Sequence, residues 1–155
     1  MLLNEIFPKE TIVVELESTE KDELFEELVE VIHSYCPQMD RSQALAILNE
    51  RESKMTTGIM HNVGIPHALI PSMNKTVGAI GISKDGIDYD SLDKAPVHVV
   101  FMLVGSDSDT EHHIQILKSL ATVLQIPNFV ENVLKCNSAS EVYKFIQTSE
   151  ESLEN

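Results

Sequence analysis

Six histidines, at positions 33, 61, 67, 98, 112 and 113, are the side chains best suited to chemistry near neutral pH, and their settings differ. In Thr56 to Leu69 the apolar run Val63-Gly64-Ile65 leads directly into Pro66-His67. Proline fixes its own backbone angle and lacks an amide donor, so it interrupts sheet pairing and pins the residue after it in a defined direction. Taken alone, a Pro-His pair reads as a structural loop with one exposed imidazole; its meaning depends on the rest of the chain. His113 has a more suggestive place. If Asp109 or Thr110 caps the helix that follows, His113 falls in its first turn, beside unpaired amides and the positive end of the dipole, which favours an anion. His33 ends an amphipathic helix and His98 lies inside an apolar strand, and both read as structural.

Histidines beside an anion site admit three chemistries. A zinc site needs three or four converging ligands, which His61, His67, His112 and His113 could supply, yet the loop has no HxH, HExxH or cysteine pair. Hydrolysis through a serine or cysteine needs a context such as GxSxG, which is not present. In the third chemistry histidine is itself the nucleophile: a neutral ring nitrogen attacks phosphorus and the protein supplies positive groups for the equatorial oxygens. Arg51, His113 and helix amides could supply them.

The elements that must position these groups alternate. Thr11 to Glu17 reads as a strand, Ser18-Thr19 with Asp22 as a helix cap, and Leu24, Phe25, Leu28, Val31, Ile32 and Tyr35 as the stripe of a helix that Pro37 ends. Asp40 caps a second helix carried by Ala44, Leu45, Ile47 and Leu48 to about Arg51. Val77 to Ile82 reads as a strand, Lys84 to Asp90 as a turn or short hairpin tipped by Gly86, and Val97 to Val104 as a central strand covered on both faces. Gly105 to Thr110 offers caps for a helix with the stripe Ile114, Leu117, Leu120, Ala121 and Leu124. Pro127 reads as the first residue of a short helix, and Ser138 or Ser140 as the cap of a last one through Val142, Phe145 and Ile146. This order predicts an α/β fold, a mixed, mostly parallel β-sheet covered by helices on both faces (an α/β/α sandwich), with sites at the carboxyl ends of strands.

The 155 residues and 43% apolar content suit a single domain, 1–155, with its core at about 3–146 and an acidic C-terminal tail at 149–155. No signal pattern and no apolar run long enough for a bilayer is present, so the expected setting is cytoplasmic, without membrane insertion. Cys36 and Cys136 lack metal spacing and read as buried or free thiols. A net charge of -14 argues against nucleic acid and anionic membrane and suits a basic protein partner. Much of the charge, in Glu15 to Glu30 and Glu150 to Glu154, reads as a solvated helix face and a frayed terminus.

Two quoted runs, Arg51-Glu52-Ser53-Lys54-Met55-Thr56-Thr57-Gly58-Ile59 and Val63-Gly64-Ile65-Pro66-His67-Ala68, resemble the signature of the mannitol/fructose-type IIA component of the phosphoenolpyruvate-dependent sugar phosphotransferase system. Gly86-Ile87-Asp88-Tyr89-Asp90 with Ala95-Pro96-Val97, and His113 to Ala121, resemble its second and third blocks in order and spacing. The resemblance runs from about Leu3 to Ile146. It implies that His67 is the phosphoryl acceptor, His113 the second active-site histidine and Arg51 the arginine near the phosphoryl group, with no cofactor and no metal. Two departures stand out: Met60-His61-Asn62 replaces a Gly-x-Gly, and Gly64 replaces an alanine.

The function so implied is that of a phosphohistidine carrier. It takes a phosphoryl group from HPr, a basic-faced histidine phosphocarrier, or from a paralogue. It then passes the group to a IIB component or uses it as a signal to a regulated target protein, as in the nitrogen-regulatory branch. Two alternatives remain at this level: a protein-binding module that keeps the fold without transfer, and a zinc-binding protein.

Overall fold

The structure, a computed structural model, describes residues 2–58 and 61–154. In chain order its elements are helix α1 (Leu2–Ile6), a 3-10 turn (Lys9–Thr11), strand β1 (Ile12–Val13), helices α2 (Lys21–Tyr35) and α3 (Arg41–Lys54), and strands β2 (Val63–Gly64), β3 (His67–Ile70), β4 (Val77–Ile87) and β5 (Val97–Ser106). Helices α4 (Thr110–Leu124), α5 (Phe129–Leu134) and α6 (Ala139–Leu153) complete the chain.

β5, buried along nearly its whole length, is the central strand, because its continuous apolar run can be covered on both faces. On one side it pairs antiparallel with β4, which pairs parallel with β1. On the other side β2 and β3 both run parallel to it. The sheet is mixed and mostly parallel, as the order of elements predicts. Side chains alternate across it: Val100, Met102 and Val104 of β5 face the cluster built with α2 and α3, while Val99, Phe101 and Leu103 face the one built with α1, α4, α5 and α6. Each fully buried side chain of this size contributes roughly 1.5–3 kcal/mol. Cys36 and Cys136 are buried thiols in opposite clusters, so the sheet separates them.

β2 and β3 act as one lane with a gap. Val63 lies opposite Val99 and His67 opposite Leu103, in one unbroken register, and only Ile65-Pro66 drops out of the ladder. Proline has no N–H to give there. Its carbonyl still accepts the Leu103 amide at 2.9 Å, so the lane resumes at His67 without a slip.

Several local expectations are corrected. Of Thr11 to Glu17 only Ile12 and Val13 pair in the sheet, with the Leu16 amide returning to the Ile82 carbonyl at 3.0 Å. Ser18 and Thr19 do not cap α2, whose N-cap is Glu20; they bond instead to the carboxylates of Glu27 and Glu23, so part of the acidic face is spent on the preceding loop. The buried stripe of α2 is Leu24, Phe25, Leu28, Val29 and Ile32, which leaves Tyr35 exposed and Val31 half-buried. Lys84 to Asp90 is no hairpin: β4 continues to Ile87 through an irregularity at which Gly86 takes φ 93°, and Ile87 re-enters the core. Pro127 lies outside α5, which starts at Phe129 behind a left-handed Asn128. In α4 the buried stripe is His113, Ile116, Leu120 and Val123, and Ile114 faces solvent.

Asp40, Asp109 and Ser138 do cap α3, α4 and α6, accepting the amides of Gln43, His112 and Glu141. The terminus does not fray where expected. α6 runs to Leu153, Ser149 is buried, and Glu150 accepts the Leu3 amide at 3.0 Å, giving an orphan donor at the start of α1 a partner. Among the described residues no helix is long and apolar enough to cross a membrane.

Candidate functional site

His67 stands at the first position of β3, half-buried, where the lane restarts after Pro66. Its Nδ1 lies 2.7 Å from the Ile65 carbonyl. A carbonyl only accepts, so Nδ1 carries the proton and donates, and the neutral ring presents its lone pair at Nε2. Burial holds the His67 pKa below the usual histidine value; the bond to Ile65 opposes this, Arg51 adds to it and Glu52 counters Arg51. The ring is therefore neutral at pH 7.

His113 comes from the first turn of α4, on the face of the sheet to which Leu103, the partner of His67, also points, with its ring centre 5.7 Å from that of His67 and the planes inclined by 46°. Gly105 makes room for it: a Cβ there would lie 2.9 Å from His113 Nδ1. His113 is 5% exposed, and among the described residues neither ring nitrogen has a hydrogen-bond partner. Burial, followed by His67 and His112, pushes its pKa down to about 4. A buried, neutral imidazole with an unpaired N–H costs free energy unless something else accepts that proton, and the His67 ring is its neighbour.

Arg51 stands in the last turn of α3. Its Nη1 donates to the Met55 carbonyl at 3.1 Å, it makes no ion pair among the described residues, and its charge is felt at His67. The fork is thus available for an anion. The structure thus packs His113 against His67 and places Arg51 near enough for its charge to act on the His67 ring.

The remaining histidines do not join them. His61 faces Asp93 at 3.6 Å, His112 lines a separate surface cleft with Glu5, Lys75, Thr76 and Asp109, and His33 and His98 bond to the carbonyls of Met39 and Ser83. Among the described residues no cluster of three or more His, Cys, Asp or Glu side chains could hold a metal ion.

The sequence reading assigned no role to a second, buried group: Glu52, Thr57, Tyr89 and Lys21. Glu52 accepts the Thr57 amide at 2.7 Å, the Thr57 hydroxyl at 2.8 Å and Lys21 Nζ at 3.0 Å, and the Tyr89 hydroxyl lies 2.6 Å from Thr57 Oγ1. The signal was present: Ala44, Leu48 and Glu52 follow helical spacing along the buried face, so a carboxylate occupies an apolar position and must be partnered. Gly64 belongs to the same group, since a Cβ there would meet the Tyr89 ring at 2.8 Å. Asn62 adopts φ 63°, a left-handed conformation that asparagine tolerates better than most residues. Met60 lies outside the described residues.

Residues 5–149 match the family described as phosphoenolpyruvate-dependent sugar phosphotransferase system, EIIA 2. The chain is 34% identical over 146 residues to the PTS system fructose-specific EIIABC component of Bacillus subtilis, covering 94% of this chain and 23% of that longer protein. It is 33% identical over 140 residues to the PTS system fructose-specific EIIA component of Haloferax volcanii, covering 90% of this chain and 91% of that one. The crystal structure of nitrogen regulatory protein IIA-Ntr from Neisseria meningitidis superposes with a TM-score of 0.86 at 26% identity, covering 94% of this chain and 99% of that chain. With the family match running nearly end to end, this chain belongs to the EIIA type 2 components of the phosphoenolpyruvate-dependent sugar phosphotransferase system.

Proposed function

We propose that the chain carries a phosphoryl group on Nε2 of His67, received from an HPr-like phosphocarrier and delivered to a IIB component. The observation that carries this reading is the bond from His67 Nδ1 to the Ile65 carbonyl, which leaves Nε2 unprotonated without a general base. In the transfer, the Nε2 lone pair forms the new P–N bond while the donor's P–N bond breaks and its electron pair returns to the donor ring. The proton stays on Nδ1, still bonded to Ile65. That keeps the phosphorylated ring a good leaving group for the next step. Arg51 and the N–H of His113 stabilise the equatorial oxygens, in a role typically worth ~10²–10³ in rate for each such donor. The net charge of -14 suits a basic-faced donor, and such an exchange takes place in the cytoplasm.

A regulatory variant of the same chemistry is favoured by one observation, the likeness to a IIA-Ntr protein over nearly the whole of both chains. There the phosphorylated state is itself the signal to a target protein. Incubation with phosphoenolpyruvate, enzyme I and a cognate phosphocarrier tests the common step. One label should appear on His67, lost in mild acid, stable in base and absent from His67→Ala. Adding IIB separates the variants: the label leaves His67 in a sugar-uptake carrier and remains in a regulator. A parent protein that acquires no label at any phosphocarrier concentration would identify a binding module instead.

A further inference from the structure

We propose that Glu52 is a positioning residue for His67: from a buried site it fixes, through Thr57 and the Ile65 carbonyl, the ring tautomer that leaves Nε2 free. The inference deepens the acceptor reading of His67 and rests on it for its functional meaning. A continuous series of hydrogen bonds carries it. Glu52 takes both the amide and the hydroxyl of Thr57, at 2.7 and 2.8 Å. The Thr57 carbonyl accepts the Ile65 amide at 3.3 Å, and the Ile65 carbonyl accepts His67 Nδ1–H at 2.7 Å.

The proton inventory makes the series directional. An ionised carboxylate only accepts, so the Thr57 hydroxyl must donate to Glu52, and the Tyr89 hydroxyl must therefore donate to Thr57. Lys21 Nζ, 3.0 Å from Glu52 and 4.5 Å from the centre of the Tyr89 ring, holds the outer end. A carboxylate serving only as a structural partner for Lys21 would not need to grip both donors of Thr57. Because it does, the Thr57 backbone is held where Ile65 needs it, and Ile65 is fixed within the gap at Ile65-Pro66, where the Pro66 carbonyl alone keeps its bond to β5. The charged groups felt at His67 are Arg51 and Glu52, both from α3, and the neutral His113 ring of α4 packs against it. Glu52 thus also balances Arg51 at the ring.

Glu52→Gln tests this, because an amide can accept from Thr57 with one atom only and carries no charge. Ring ¹⁵N NMR of unphosphorylated protein across a pH titration reads the His67 tautomer and midpoint without any transfer assay. The expected result is a shift of His67 toward the Nε2–H tautomer and a lower midpoint, since the anion favouring the protonated ring is gone. Saturated phosphoryl transfer should fall tenfold or more, with its dependence on phosphocarrier concentration unchanged. A parent-like tautomer and midpoint in Glu52→Gln overturns the proposal whatever the rate. If that variant does not fold, Thr57→Val, which removes the hydroxyl bonds while conserving shape and leaves the Glu52 charge in place, is read by the tautomer alone, and an unchanged His67 tautomer overturns the proposal there too. If the parent never accepts phosphate, the carrier reading falls, while a tautomer shift in the variants still supports Glu52 as the group that positions the ring.

Discussion

Acidification should expose His113 as a specific weak point of the fold. Its pKa falls from the ordinary 6.5 to about 4 in the folded state, chiefly because burial penalises the charged ring. The unfolded chain binds that proton near pH 6.5 and the folded chain does not until about pH 4, so the unfolded state holds more protons across this window. Stability from this group is therefore complete above pH 6.5 and is lost as the pH falls toward 4. At 1.36 kcal/mol per pKa unit the full loss is about 3 kcal/mol, and the steepest slope approaches about 1.4 kcal/mol per pH unit. Denaturant melts of the parent and of His113→Leu at steps between pH 7.5 and pH 4 measure it. The variant carries a pH-independent cavity cost and the same carboxylates, so the difference between the two curves isolates His113. The parent should lose its lead progressively below pH 6.5. Parallel curves would refute the argument, because they would mean that the ring is either solvated or already paired in the folded protein.

Three other changes separate chemistry, packing and docking. His113→Ala should lower saturated phosphoryl transfer through His67 by ~10²–10³, measured in single turnover, with the circular dichroism spectrum at pH 7 retained. Gly64→Ala should destabilise the protein by roughly 1–3 kcal/mol in denaturant melts, because the new methyl drives against the buried Tyr89 ring at 2.8 Å and the Gly64 backbone is tied to Val100 of β5. Met60→Gly with Asn62→Gly should alter the apparent affinity for the phosphocarrier and leave the saturated rate within a few fold. Asn62 is turned into the left-handed region with its carbonyl bonded to the amides of His98 and Val99, so glycine keeps its backbone path.

His67, His113 and Arg51 could be singled out in the sequence because each sits at a position that local rules mark: after a proline, inside a capped first turn, and in the last turn of a helix. The order of strands and helices was legible for the same reason, as was the central place of β5, whose apolar run leaves no polar face. What failed at this level were the phases of the helical stripes, the supposed hairpin at Gly86 and the fraying of the last helix. Each is decided by a partner distant in the chain. Ile114 is as apolar as Ile116, and only the angle at which α4 lies on β5 selects which is buried. Glu150 is as charged as its neighbours, and only the arrival of α1 gives it the Leu3 amide.

Sequence alone therefore determined which residues meet chemically suitable neighbours along the chain, since proline, caps and periodicity act within a few residues. Tertiary structure alone decided the protonation of the site. Nothing in Pro66-His67 says which nitrogen carries the proton; that follows from the Ile65 carbonyl turning back on the ring where the ladder is interrupted. Nothing around His113 says that it is neutral; that follows from its burial under β5 against Gly105 and His67. Hydrogen-bond partners and desolvation depend on where surfaces from distant segments close together, and the chain acquires those only when the sheet is assembled.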